Sequence, residues 1–173
     1  MNLSTDPTGM INAADRIRIL ASIDLDSPAL HAELDALAAA TAQHTGMPTG
    51  MASIVLGMAQ VAAGSYGLTG ILAEAGGTPV EWALCSRVVT SGRPYIVPDT
   101  TLHPVESRNP LVTMDGLRAY AGYPVAVAGQ IVGAICVLAD TPHHFTDDQL
   151  VVLQQAADVM ADALQRHRNI VAS

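Results

Sequence analysis

The sequence predicts an α/β chain of the α+β kind, with an antiparallel sheet covered by helices. Three observations carry this. Two pairs of short apolar runs are each joined by a tight Gly-containing turn, the pattern of β-hairpins, and hairpins imply antiparallel pairing. The first and last helical segments carry apolar residues at helical spacing, so each can lie on one face of a sheet. Half of the 173 residues are apolar but only 3% are aromatic, which gives one domain a core of Ala, Val, Leu, Ile and Met.

The elements follow in order. Met10 to Ser22 has Ile11, Ala14, Ile17 and Leu20 at helical spacing, and Asp24 to Asp26 breaks it. Ser27-Pro28 is a helix start, with Ser as N-cap and Pro in the first turn. That helix runs to about Thr45 with Leu30, Leu34, Leu37 and Thr41 on one face, and Gly46 and Pro48 stop it. Met51–Leu56 and Ala59–Ser65 form a first hairpin about Gly57-Met58. Leu68–Ala75 is a loop or short helix. Thr78-Pro79-Val80-Glu81 matches a capping box, which predicts a helix over 79–91 with Gly92 as its C′ residue. Tyr95–Val97 is a short strand, and Pro98–Leu117 is a long irregular stretch of the kind that is usually functional or disordered. Tyr120–Val127 and Ile131–Leu138 form a second hairpin about Gly129-Gln130. Thr146-Asp147-Asp148-Gln149 is another capping box, opening a helix to about His167 with Leu150, Leu153, Ala157, Met160 and Leu164 on its seam. The break near Asp24 divides a helical extension, residues 1–24, from a domain over 25–173.

Composition excludes several functions. The net charge is −8, and all eight basic residues are scattered arginines, which disfavours nucleic acid and anionic membrane surfaces. No Lys is present, so neither a Schiff base nor a P-loop lysine is available. Two widely separated cysteines, Cys85 and Cys136, read as reduced thiols of a cytoplasmic protein. Met1 to Asp6 lacks signal-peptide character, and the Ala-rich, Lys-free composition suggests a bacterial source. Two uncharged stretches, 50–73 and 119–139, are long enough to span a membrane, but Gly, Pro and Gln punctuate them as strands and turns.

From Trp82 onward the chain resembles the GAF domain family. Trp82 to Asp99 is similar to the family's helix, Gly-x-Pro turn and strand ending in Asp. Asn109-Pro-Leu-Val112 resembles the loop motif that follows. Tyr120-Ala-Gly-Tyr-Pro-Val125, Ile131-Val-Gly-Ala-Ile-Cys-Val-Leu138 and Phe145-Thr-Asp-Asp-Gln-Leu150 resemble the family's two strands and last helix start. The resemblance extends over roughly residues 25–168. It implies a PAS-like GAF fold, an antiparallel five- to six-stranded sheet with the N- and C-terminal helices on one face and a pocket on the other, roofed by the helix near residue 85 and the loop after residue 98.

The expected role is that of a sensory or regulatory module that binds a small molecule and signals through its terminal helices to a homodimer partner or another signalling protein. The alternative is a ligand-free dimerisation or interaction scaffold, with Val152 and Val159 placed to meet a second helix. A third reading is a thiol-based, methionine-sulfoxide-reductase-like enzyme resting on Cys85, and no catalytic residue is assigned. Candidate ligand contacts are Trp82, Cys85, Ser86, Asp99, Asn109, Arg118 and Tyr120, taken from the helix and the borders of the long loop. Trp82 offers a flat apolar face and one donor, while Asp99 and Asn109 also suit bracing of loop backbone. The six histidines form no helical i,i+4 pair and there is no Cys-x-x-Cys, so neither a metal nor a cofactor is predicted.

Overall fold

The computed structural model describes residue 11 and residues 13–169. The expected first-helix start at Met10 lies outside them. The chain order is α1 (Ala14–Ser22), α2 (Pro28–Thr45), β1 (Thr49–Val55), β2 (Ala59–Tyr66), α3 (Gly70–Ala75), β3 (Gly77–Pro79), α4 (Leu84–Ser91), β4 (Tyr95–Val97), α5 (Pro110–Thr113), β5 (Ala119–Val127), β6 (Gln130–Ala139) and α6 (Asp147–Arg166). Three short 3₁₀ turns cover 80–82, 100–102 and 106–108. The strands form one antiparallel sheet in the order β3-β2-β1-β6-β5-β4.

Local chemistry sets most boundaries. The Ser27 hydroxyl accepts from the Leu30 amide to start α2, and Gly46 ends it at φ +68°. Thr146 and Gln149 form the reciprocal capping box of α6. Gly92 closes α4 at φ +67°, its amide donating to the Val88 carbonyl.

The second hairpin turns at Ala128-Gly129, both at positive φ, one residue earlier than the sequence suggested. Two positive-φ central residues match the right-handed twist of the flanking strands.

Helices α2 and α6 pack against each other and on one sheet face. Their core joins Leu30 and Leu34 to Leu153, Met160 and Leu164 over Ile54, Ile135 and Val137. The opposite face carries α4 and the loop after β4, packed over Met51, Val55, Cys136 and Leu138. Strand β6 lies between the two cores, and eight of its ten residues are buried.

Helix α1 departs from its expected face. Ala14 and Ile17 are exposed, and Arg16 is buried with Leu20. The Arg16 guanidinium donates to the carbonyls of Ile131 (2.8 Å), Ile11 (2.8 Å), Val132 (3.3 Å) and Val55. It thereby ties the end of β1 and the start of β6 to Ile11 ahead of α1. Burial lowers its pKa to about 10, so it stays charged at neutral pH.

Arg16→Leu should leave those carbonyls without the guanidinium donors and cost about 2–4 kcal/mol of stability. Arg18→Leu, which removes only an exposed pair with Asp15, should cost under about 0.5 kcal/mol. Urea unfolding of the two variants checks the contrast.

Candidate functional site

The face under α4 is built by three elements. Helix α4 supplies Cys85, β6 supplies Cys136 and β5 supplies Tyr120, each at most 1% exposed. Cys85 Sγ lies 3.0 Å from Tyr120 Oη and 3.8 Å from Cys136 Sγ. Tyr120 is the bulkiest fully buried side chain, and it fills space that a ligand under α4 would need. Burial pushes the Tyr120 hydroxyl and the Cys136 thiol well above their ordinary values. Hydrogen bonding from Cys136, and then from Tyr120, holds Cys85 below the usual thiol value.

Beside this cluster, buried polar side chains link β1, β2 and β3. The Ser53 hydroxyl donates to Gln60 Oε1 (3.0 Å), and Gln60 Nε2 donates to the Thr78 hydroxyl (3.1 Å). Thr78 therefore caps no helix. It pairs with Gln60 in β3, a 3₁₀ turn follows, and α4 starts only at Leu84. The expected helix over 79–91 is shorter because cross-strand pairing takes the residues that resemble its cap.

The long loop is held by a buried carboxylate. Glu106 is fully buried and accepts from Arg87 Nη2 on α4 (3.0 Å), Tyr95 Oη on β4 (3.1 Å) and Asn109 Nδ2 (3.3 Å). His103 Nδ1 accepts from the amides of Val105 and Glu106, both at 3.1 Å. Its neutral ring proton therefore sits on Nε2, 3.3 Å from Tyr95 Oη. Burial first, and the Glu106 charge second, push Tyr95 up to about 12.

The seven expected contacts divide by position. Cys85 and Tyr120 touch. Asn109 Nδ2 donates to the Trp82 carbonyl (2.9 Å) while its Oδ1 caps the Leu111 amide (3.0 Å). Ser86 donates to the Ala83 carbonyl inside the α4 start. Asp99 caps Thr101, and Arg118 donates to the carbonyls of Val112 and Leu117. Sequence reasoning missed Arg87, Tyr95, His103 and Glu106, because no local pattern marks residues that meet only through the fold.

An open cleft of about 160 Å³ lies on the same face, beside the space under α4. Buried Leu72, Leu111, Leu117 and Leu138 form its floor, and the exposed carboxylates of Asp115 and Asp140 stand at its edge. None of the seven expected residues lines it. Asp115 also accepts from the Ile71 amide (2.7 Å), fixing the first turn of α3. Among the described residues, no group of three or more His, Cys, Asp and Glu side chains could hold a metal. Among them too, no helix is long and apolar enough to cross a membrane.

Glu106→Gln should strand Arg87 and cost about 2–4 kcal/mol in urea unfolding, below the largest values for buried pairs because Arg87 keeps partial solvent access. A second check uses pH. Tyr95 is neutral in the fold with its pKa raised above the ordinary 10, so its contribution is intact below about pH 10 and is lost as pH rises toward 12. Tyr95→Phe should flatten the alkaline loss of stability over that interval.

The family model for the GAF domain matches residues 29–164. Among curated proteins, none matches the sequence. Solved structures with the same fold include the GAF domain of a phosphoenolpyruvate-protein phosphotransferase from Coxiella burnetii, at 18% identity and TM-score 0.67, covering 90% of this chain and 95% of that one. The corresponding domain from Acinetobacter is 16% identical with TM-score 0.65, covering 96% of each chain. A type II free methionine-R-sulfoxide reductase from Thermoplasma acidophilum is 16% identical with TM-score 0.67, covering 84% of this chain and 98% of that one. At these identities the structures speak for the fold alone, and together with the match over 29–164 they establish that the chain belongs to the GAF domain family.

Proposed function

We propose that this GAF domain is a sensory or regulatory module whose ligand is a small molecule bound in the cleft between α3 and the α5–β5 loop. The cleft itself carries the reading, since it joins an apolar floor to two carboxylates, the mixture usual for ligand sites. Its volume lies below the roughly 300–1,000 Å³ of ordinary ligand pockets, which favours a compact ligand. Asp115 and Asp140 favour an amine or other cationic group over an anion, and the net charge of −8 steers cations toward the surface. In this reading Trp82, Cys85, Ser86, Asn109 and Tyr120 frame the layer behind the cleft, while Asp99 and Arg118 pin the ends of the loop. The ligand acts by preferring one arrangement of α3 and the loop. Leu138 and Ala139 line the cleft, and β6 carries that preference to the face covered by α2 and α6.

A second reading is self-association or docking on a partner through α6. Val151 and Val159 are exposed there, whereas Val152 is half-buried.

The test is native against denaturing mass spectrometry of the full chain, with a thermal-shift series of small amines and matched carboxylates. A cleft ligand adds mass that denaturation removes, and an amine present at about 100 times its Kd stabilises by about 2.7 kcal/mol. Leu72→Trp should abolish both effects with the fold intact. Bare chain mass, with no shift for any amine, counts against the ligand reading, and a dimer mass in the same spectrum supports the second.

A further inference from the structure

Cys85 and Cys136 lie 51 residues apart in sequence and on different elements, yet their sulfurs are 3.8 Å apart. Both are free thiols, and both are sealed from solvent. The buried Tyr120 hydroxyl sits 3.0 Å from Cys85 Sγ, and the Ser53 hydroxyl also hydrogen-bonds toward Cys85, within a layer that is largely apolar. A thiol is a weak partner for a buried phenol, whereas a thiolate is a strong acceptor. A hydroxyl sealed against one sulfur of a close pair is therefore arranged for the moment when that sulfur carries charge.

We propose that Cys85 and Cys136 form a redox-active dithiol that a small neutral hydroperoxide converts to an internal disulfide, with Tyr120 as the positioning residue. This is independent of whether the cleft takes a ligand. Cys85, as the thiolate, attacks one peroxide oxygen, the O–O bond breaks, and the leaving oxygen takes a proton. With hydrogen peroxide the products are a sulfenic acid on Cys85 and one water. The Cys136 sulfur then attacks the sulfenic sulfur, the S–S bond forms, and the hydroxide that leaves takes the Cys136 proton as a second water. Two electrons pass from the two thiols to one peroxide, and the Cys85 thiolate is the reacting form in the first step.

Access comes through the cleft side. Leu72, Leu111 and Leu138 line the cleft and belong to the same packed cluster as both cysteines, so a peroxide reaches the sulfurs when those side chains part. Closing from 3.8 Å to the roughly 2.05 Å of a disulfide needs an approach of about 1.8 Å. Helix α4 has eight residues, and its movement reaches the loop directly, because Arg87 holds Glu106 and Trp82 holds Asn109. Trp82, the only tryptophan, stands three residues before Cys85 and reports that movement.

The experiment treats the folded full chain with hydrogen peroxide, then alkylates free thiols and measures intact mass and linked peptides without reductant. The expected result is a loss of two hydrogens per chain, one peptide joining Cys85 to Cys136, a change in Trp82 emission, and reversal of all three by dithiothreitol. Cys136→Ser should stop at a sulfenic acid on Cys85 that dimedone traps. Cys136→Ala serves if the serine variant does not fold. Tyr120→Phe should slow oxidation severalfold at neutral pH and move the rate profile to higher pH, since the hydrogen bond it removes favours the Cys85 thiolate. That profile separates positioning from packing, which a loosened core would not shift in the same direction. The proposal is overturned if both thiols survive peroxide in the folded chain, if they oxidise separately without linkage, or if only intermolecular disulfides form.

Discussion

Strand β6 has no wet face. Helices α2 and α6 cover one side of the sheet and α4 covers the other, so polar groups near the centre must find partners inside the protein. Unpaired groups at such depth cost several times what a formed hydrogen bond contributes. Among the described residues, every buried side-chain nitrogen and oxygen has a partner. Three groupings meet that demand. Arg16 closes the strand ends, Ser53, Gln60 and Thr78 form a relay across the β1–β3 side, and Glu106 gathers Arg87, Tyr95 and Asn109.

These groupings divide the two faces by character. The α2–α6 face is held by aliphatic packing, with the Gln149 side chain joining α6 to the end of α2 through the Thr45 carbonyl (2.7 Å). The exposed pair of Arg166 with Glu33 adds little, as solvent screens it. The α4 face is tied instead by directional contacts between α4, β4 and the loop. The face held by directional contacts is the one that carries the cleft and the thiols.

The parts legible in the sequence are those fixed by neighbours along the chain. Ser27, Gly46, Gly92 and the Thr146–Gln149 box each act within one helical turn, and short apolar runs joined by Gly-containing turns marked both hairpins. The Thr78 box misled because its letters are those of a cap, while its structure is decided by Gln60, 18 residues away. Arg16 lay outside the apolar set Ile11, Ala14, Ile17 and Leu20, and its acceptors at Ile131 and Val132 are more than a hundred residues distant. Glu106 had no local mark either, since its meaning depends on Arg87 and Tyr95 reaching it from two other elements. Asn109 was legible as a loop brace through its own Asn-Pro cap, but its bond to Trp82 was not. The cleft is a gap between elements, and periodicity records only what is filled.

Few aromatics and many small residues also determine where the gap falls. At Gly133 an added Cβ would lie within 2 Å of the Ser53 carbonyl oxygen, and at Gly64 within 2.5 Å of Leu34. Strand and helix backbones therefore approach closely, and little space remains above the sheet. Tyr120 fills most of what is left beneath α4, so the opening moves to the rim, where α3 and the α5–β5 loop meet the ends of β1 and β6. Leu72, Leu111 and Leu138 then serve two purposes, as the floor of the cleft and as the wall of the thiol layer. Interiors at close-packed density pass on displacements instead of absorbing them. A molecule pressing on that floor would therefore act on side chains that also pack in the layer holding Cys85 and Cys136.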